Sequence, residues 1–268
     1  MNHSTMQPFE HVLTHLQTTQ SLASLSAQFH ANLASSPSTL STCSINANSL
    51  DNISLLYDFW KTNSPEAGSQ YWAVRTWTML TWQPVCLALI GAYASNEHIN
   101  FDGFQQHQNA GITSGYQFLQ SHVIRPKNSA NEVCKSLNRL LAGYLNSLQK
   151  IVPLQESIAH RLVRDQLAKF ILQMSELMPV DHIGLARYVF QKWSEQLSFN
   201  DKDPYLAIDI NTETTKWLLK RSACCQHFKR HDGGYCVTCP KQNKQQKNAA
   251  LERYKQKQLQ QIIGSKHA

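Results

Sequence analysis

This 268-residue sequence lacks long hydrophobic runs, nucleotide-binding motifs and hydrolase motifs. Its longest strongly apolar run, Val85 to Tyr93, is far shorter than the roughly 20 residues that cross a bilayer. Stable membrane insertion is therefore not expected. The N-terminus shows no basic start followed by an apolar stretch, which argues against a secretory signal and predicts a cytosolic protein.

The missing motifs also narrow the chemistry. Neither a Gly-x-Gly-x-x-Gly fingerprint nor a P-loop occurs, so no common nucleotide site is expected. A His-Glu-x-x-His motif is absent and no Ser/His/Asp arrangement is evident, which argues against hydrolysis. Alternation of apolar and polar residues is scarce, and only the region from Asn96 to Gly115 predicts a short β hairpin.

What the sequence does contain is helical periodicity, which predicts a mainly α fold: a helical globular domain followed by a cysteine-rich segment. A change in composition near Asp201 divides the chain into a helical body at 1–200, a cysteine segment at 201–240 and a basic tail at 241–268. The apolar stripes run from Phe9 to Leu16, Leu22 to Leu33, Val133 to Leu148, Leu154 to Leu177 and Ile183 to Leu197.

The net charge of +7 is concentrated near the C-terminus. The tail at 241–268 holds seven Lys or Arg residues against Glu252 alone. Tails rich in Gln and Lys are more often solvated helices or frayed ends than contacts to nucleic acid. No nucleic-acid partner is therefore predicted.

The strongest signal is a group of cysteines. Four of the seven cysteines lie within sixteen positions, in the order Cys224-Cys225-x10-Cys236-x2-Cys239. Because a cytosolic compartment keeps thiols reduced, grouped cysteines indicate metal or redox chemistry more often than disulfides.

Zinc and iron–sulfur clusters both accept four thiolates, and the spacing bears on the choice. Cys236-x2-Cys239 suits either, whereas the adjacent pair Cys224-Cys225 diverges along the backbone and strains when it serves a single ion. A cluster with two irons takes one of these sulfurs at each metal. The spacing favours a [2Fe-2S] cluster, and a mixed zinc knuckle that includes His227 and His231 remains open.

Basic residues surround the cysteines. Four thiolates on an oxidised cluster leave net negative charge, which nearby cations would offset while raising the reduction potential. A solvated basic turn would show the same residues. The candidates for this electrostatic role are Lys220, Arg221, Lys229 and Arg230.

The segment from Arg221 to Pro240, Arg-Ser-Ala-Cys-Cys-Gln-His-Phe-Lys-Arg-His-Asp-Gly-Gly-Tyr-Cys-Val-Thr-Cys-Pro, resembles the C-terminal signature of FhuF-type ferric-siderophore reductases. The resemblance implies a cytosolic [2Fe-2S] oxidoreductase that reduces Fe(III) to Fe(II) within an imported siderophore and so releases the iron. The family's cluster ligands correspond to Cys224, Cys225, Cys236 and Cys239.

A reductase of this kind needs two partners, a ferric siderophore and an external electron donor such as a ferredoxin, a flavin reductase or a small reductant. A substrate surface is predicted at Trp72, Arg75 and Trp77, where aromatic rings and a cation suit a bulky, often anionic chelate. Core packing would also explain these aromatics. Two alternatives stay open: a non-enzymatic helical interaction protein with a structural zinc knuckle, and an electron-transfer or iron-sensing protein with the same cluster.

Overall fold

The computed structural model describes residues 44–93, 99–118, 130–176, 181–200 and 202–265. Within these residues the chain is mainly helical, with six α-helices and five short β-strands, which confirms the predicted fold class. The helices are α1 (Leu50–Asn63), α2 (Gly68–Tyr93), α3 (Ala130–Gln149), α4 (Glu156–Ser175), α5 (His182–Gln196) and α6 (Lys244–Ser265), and the strands are β1 (Ser44–Ile45), β2 (Phe104–Asn109), β3 (Ile112–Phe118), β4 (Tyr205–Asp209) and β5 (Thr215–Leu219).

Three of the predicted helices are present as α3, α4 and α5. The two predicted near the N-terminus lie outside the described residues. The predicted hairpin is β2–β3, which pairs in antiparallel register and is joined by β1 at its edge. A second antiparallel hairpin, β4–β5, was not predicted, because its exposed and partly buried residues show no sustained alternation.

The helix α2 lies at the centre of the molecule and packs against α1, α3 and α4. It is buried on nearly all sides from Tyr71 to Gly91, so it carries no polar stripe. A helix that is hydrophobic all round leaves no amphipathic pattern in the sequence. For this reason, and because it contains Pro84, α2 was missed by sequence reasoning.

Pro84 is tolerated inside α2 because the β sheet supplies a missing hydrogen bond. Proline has no N–H to donate to the carbonyl four residues earlier. That carbonyl, on Leu80, accepts a hydrogen bond from Gln106 Nε2 at 2.8 Å. The carbonyl of Met79 accepts one from Thr113 Oγ1 at 2.7 Å. The three-stranded sheet therefore supports α2 around Pro84.

The β4–β5 hairpin is fastened to α4, and its end delivers the chain to the cysteines. Tyr205 is buried and its hydroxyl donates to the carbonyl of Ala168 at 3.0 Å. Arg164 Nε donates to the carbonyl of Asn200 at 3.0 Å, just before the hairpin. The residues after β5 therefore start their path against α4. The division into a body, a cysteine segment and a tail stays a prediction.

Candidate metal centre

Tight turns bring the two halves of the cysteine motif together. Gln226 adopts a left-handed conformation with φ of 58° directly after Cys225. At Gly233 an added Cβ would lie 2.0 Å from the carbonyl oxygen of His227, so only glycine fits there. A final turn places the Cys239 amide 3.0 Å from the carbonyl of Cys236. The chain thus folds back, and both halves face each other.

The four thiols form two pairs, each with one member from either half. Cys224 Sγ lies 3.7 Å from Cys239 Sγ, and Cys225 is hydrogen-bonded to Cys236. Two sulfurs held at about 2.3 Å from one tetrahedral metal are separated by roughly 3.8 Å. Among the described residues, no three His, Cys, Asp or Glu side chains converge as a single ion requires. Two separate thiol pairs fit a cluster with two irons.

The thiols differ in their affinity for protons. The pKa of Cys225 is lowered, because it accepts a hydrogen bond from the Cys236 thiol and is attracted to the Arg221 guanidinium. Burial raises the pKa of Cys224 to about 11. The hydrogen bond to Cys225 raises the pKa of Cys236. Since metal ligands must be thiolates, cluster assembly releases protons from this site.

A buried carboxylate, Asp165 on α4, holds the backbone that precedes the adjacent cysteines. Asp165 is 2 % exposed and accepts hydrogen bonds from the amides of Ser222, at 2.9 and 3.0 Å, and Ala223, at 3.1 Å. Ser222 Oγ also donates to it at 2.7 Å. Arg164 and Arg221 lie 3.5 and 3.9 Å from its oxygens. Sequence reasoning placed this residue on the polar face of the helix, turned away from the apolar stripe, and so missed its role as a buried anchor.

Of the four predicted cations, Arg221 interacts most directly with the thiols, because its guanidinium is attracted to Cys225 and Cys236. Burial lowers the pKa of Arg221, but attraction to Cys225, Cys236 and Asp165 outweighs this and the net shift is upward. Arg75, predicted as a substrate contact, is within electrostatic range of Cys225, and its guanidinium lies 4.7 Å from the centre of the Trp60 ring. Both cations can offset negative charge at the cluster.

The other predicted cations are engaged elsewhere. Lys229 Nζ donates to Gln70 Oε1 at 2.9 Å, and Arg230 donates to Asp232 at 2.7 and 2.8 Å. The side chain of Lys220 is exposed. Lys229 therefore fixes the cysteine loop to the start of α2, and the pair Arg230–Asp232 braces the loop itself.

The two histidines of the alternative zinc site have different surroundings. His231 is exposed, and its amide and Nδ1 lie 3.1 and 3.0 Å from Glu66 Oε1, in the turn before α2. His227 is also exposed, and its backbone amide donates a hydrogen bond to Cys225. His231 is therefore engaged by Glu66, and the mixed Cys and His zinc knuckle stays an alternative.

The predicted aromatic substrate surface is corrected by the structure. Trp77 is 1 % exposed and its indole N–H donates to the carbonyl of Ala159 at 3.0 Å, so it is a core residue. Trp72 is half-buried and donates to the carbonyl of Ser64 at 2.7 Å. Aromatic side chains at this density pack helices together, as their size and apolar area favour.

A cleft of about 910 Å³ lies beside the cysteines instead. One wall is α2 at Ala73 and Val74, the second is the α3–α4 connection with the start of α4, and the third is the cysteine segment. Of the four cysteines, Cys224 lines it. This volume is within the range of ligand pockets, about 300–1,000 Å³. Its three walls are distant in sequence, so no local pattern predicts it.

Comparison with known families identifies the cysteine segment. Residues 221–241 match the family model described as the FhuF 2Fe-2S C-terminal domain. The match contains all four cysteines and confirms, for this segment, the resemblance seen in the sequence. The cofactor is a [2Fe-2S] cluster, and the arrangement of two thiol pairs fits it. No solved structure matches the chain.

Across the helical residues that the structure describes, none of the helices combines the length and the apolar character needed to span a bilayer.

Proposed function

We propose that this protein is a cytosolic ferric-siderophore reductase. The observation that supports it most is the position of Cys224, which belongs to the cluster-binding motif and also lines a cleft large enough for an organic chelate. An electron held at the cysteines therefore has a short path to a molecule in the cleft.

The chemistry of siderophores suits a one-electron step. Their hard oxygen donors hold Fe(III) tightly and Fe(II) weakly, so reduction of the metal releases it. When bound, the [2Fe-2S] cluster supplies single electrons at a potential that its surroundings set. An external donor has to restore each electron, because the sequence contains no recognisable nucleotide or flavin site.

The chain's own residues position and tune this site. Asp165 accepts hydrogen bonds from the Ser222 and Ala223 amides, and thereby fixes the position of the backbone that leads into Cys224 and Cys225. The amide of Gln226 donates to Cys224 Sγ at 3.3 Å, and amide hydrogen bonds to cluster sulfurs raise the reduction potential. Apolar side chains of α2 form the opposite wall of the cleft, which limits water around a bound chelate.

Turnover of the reduced protein tests the proposal. Anaerobically purified protein should contain two irons and two sulfides, and should give a rhombic EPR signal after reduction with dithionite. Once excess dithionite is removed, a ferric siderophore should reoxidise the cluster, with Fe(II) captured by a ferrous chelator. Visible absorption and EPR follow the reaction.

Other results would select the alternatives. Zinc with a featureless visible spectrum would indicate an interaction protein with a structural metal. A normal cluster that no ferric siderophore reoxidises would indicate an electron-transfer or iron-sensing protein. Gallium siderophores, which do not accept an electron under these conditions, serve as the control for reoxidation by trace oxygen.

The electron donor is proposed to be an acidic protein of the ferredoxin class that docks on α6. Four cations on this helix are exposed, with Lys244 and Lys247 in its first turn and Arg253 and Lys257 one turn apart further along, and Glu252 is paired to Lys255 at 3.7 Å. A helix with this charge attracts an acidic partner and raises its rate of association.

Salt dependence checks the docking prediction. The rate of cluster reduction by an acidic ferredoxin should fall about tenfold between about 0.01 and 0.15 M salt, where the Debye length shrinks from about 30 to about 8 Å. Arg253→Glu combined with Lys257→Glu should slow reduction and flatten this dependence, whereas Lys135→Glu on α3 should not. A rate that does not change with salt would contradict docking by charge.

A further inference from the structure

The cleft beside Cys224 carries positive charge. Among its lining residues are two cations, Arg161 on α4 and Lys241 two positions after Cys239, and no aspartate or glutamate. The remaining polar lining is largely amide side chains, such as Gln70 and Gln149. A ligand in the cleft therefore meets two cationic side chains and no carboxylate among the lining residues, and these cations act against the negative charge of the thiolates at Cys224.

This charge is not neutralised by the protein. Both side chains are exposed, and Arg161 Nε donates to the carbonyl of Ser157 at 2.9 Å, which holds the guanidinium along α4. Neither cation belongs to an ion pair within the part of the chain that the structure describes. Unpaired cations at a concave surface attract anions more strongly than paired ones.

The cleft also offers apolar contact area. Val74, Val152, Leu154 and Ile158 line it together with Pro153. A small inorganic anion would leave this surface and most of the volume of about 910 Å³ unused. The lining instead suits an organic anion with substantial apolar parts, which buries them while its charge faces the two cations.

We infer that the cleft selects ferric chelates of net negative charge, the class that catecholate and hydroxycarboxylate ligands form, over neutral trihydroxamate chelates. The selection is made by Arg161 and Lys241. This inference rests on the proposed function, because it names the substrate class of the same site. The cations stabilise the bound anion close to Cys224, where the electron leaves the protein.

Binding of redox-inert analogues tests this directly. The probes are the gallium complexes of a tricatecholate and of a trihydroxamate of similar size, titrated calorimetrically into the oxidised, cluster-loaded protein. The tricatecholate complex should bind more tightly. Arg161→Gln and Lys241→Gln should each weaken its binding about fivefold, and together roughly 25-fold, while the neutral complex changes little. Arg161→Lys should retain binding, and Lys135→Gln on α3 is the matched control.

The outcomes separate this inference from the proposed function. Equal binding of both complexes by the unaltered protein, or equal weakening of both by the substitutions, would overturn selection by charge. Circular dichroism and cluster absorption verify that each variant is folded and loaded. If the gallium complexes show the expected preference but their ferric counterparts fail to reoxidise the reduced cluster, the reductase function fails and the ligand class stands. If all ferric chelates reoxidise the reduced cluster but the substitutions leave their affinities unchanged, the reductase function stands and the ligand class fails.

Discussion

Replacement of Asp165 by alanine is expected to prevent stable cluster assembly and to lower the free energy of unfolding by about 3–5 kcal/mol. The carboxylate is buried and accepts hydrogen bonds from the amides of Ser222 and Ala223 and from the hydroxyl of Ser222. Its removal leaves these donors without an acceptor and leaves Arg164 and Arg221 without their buried counter-charge. The residues before Cys224 would then lose their position.

Urea unfolding, together with iron and sulfide analysis, measures both effects. Asp165→Asn should have a stability and a cluster content between those of Asp165→Ala and the wild type. Its amide oxygen can accept some of these hydrogen bonds but carries no charge. Asp102→Ala is the matched control: Asp102 is exposed and paired with Arg139 at 2.8 Å, so its loss should cost less than about 1 kcal/mol. A fully loaded Asp165→Ala protein with the stability of that control would contradict the anchoring role.

Substitution of Cys225 by serine should eliminate or alter the cluster while preserving most of the helical signal. Cys225 forms a thiol pair with Cys236, and a serine hydroxyl is a poor substitute for a thiolate at iron. The helices should survive, because their core is built from buried residues of α1 to α5 and contains none of the four ligand cysteines.

Visible absorption, metal content and far-UV circular dichroism distinguish these effects. Cys134→Ala is the appropriate control, since Cys134 is 1 % exposed in α3 and belongs to the helical core, so this variant removes a thiol without touching the cluster. Unfolding of the whole chain in Cys225→Ser would show that the fold depends on the bound metal, and the redox function would lose support.

Fold prediction from the sequence succeeded where one element carries its own pattern. The stripe of α4 follows from one face that packs inward, and the same is true of α3 and α5. It failed for α2, where burial on all sides removes the stripe and Pro84 suggests a break. The helix is continuous because Gln106, from a different element, donates to the carbonyl that proline leaves without a partner.

The candidate site divides in the same way. The four cysteines were identified from their spacing, since all of them lie in one short segment whose turns bring them together. The substrate surface was placed at Trp72, Arg75 and Trp77, but the helix turns Trp77 into the core and sets the Arg75 guanidinium against the Trp60 ring. Which face of a buried helix meets a ligand depends on its neighbours, and no local pattern records them.

The sequence by itself identified the four cysteines as candidate metal ligands, the helical class and the accumulation of positive charge near the C-terminus, because spacing, periodicity and composition are local properties. Only the tertiary structure decided how the cluster is held and what it faces. Asp165 lies 57 positions before Ser222, and the cleft at Cys224 joins three segments that are far apart in the chain. Contacts at such separation in sequence arise from the packing of the helices around α2. This packing brings Asp165 to the cysteine segment and brings the three segments that line the cleft together.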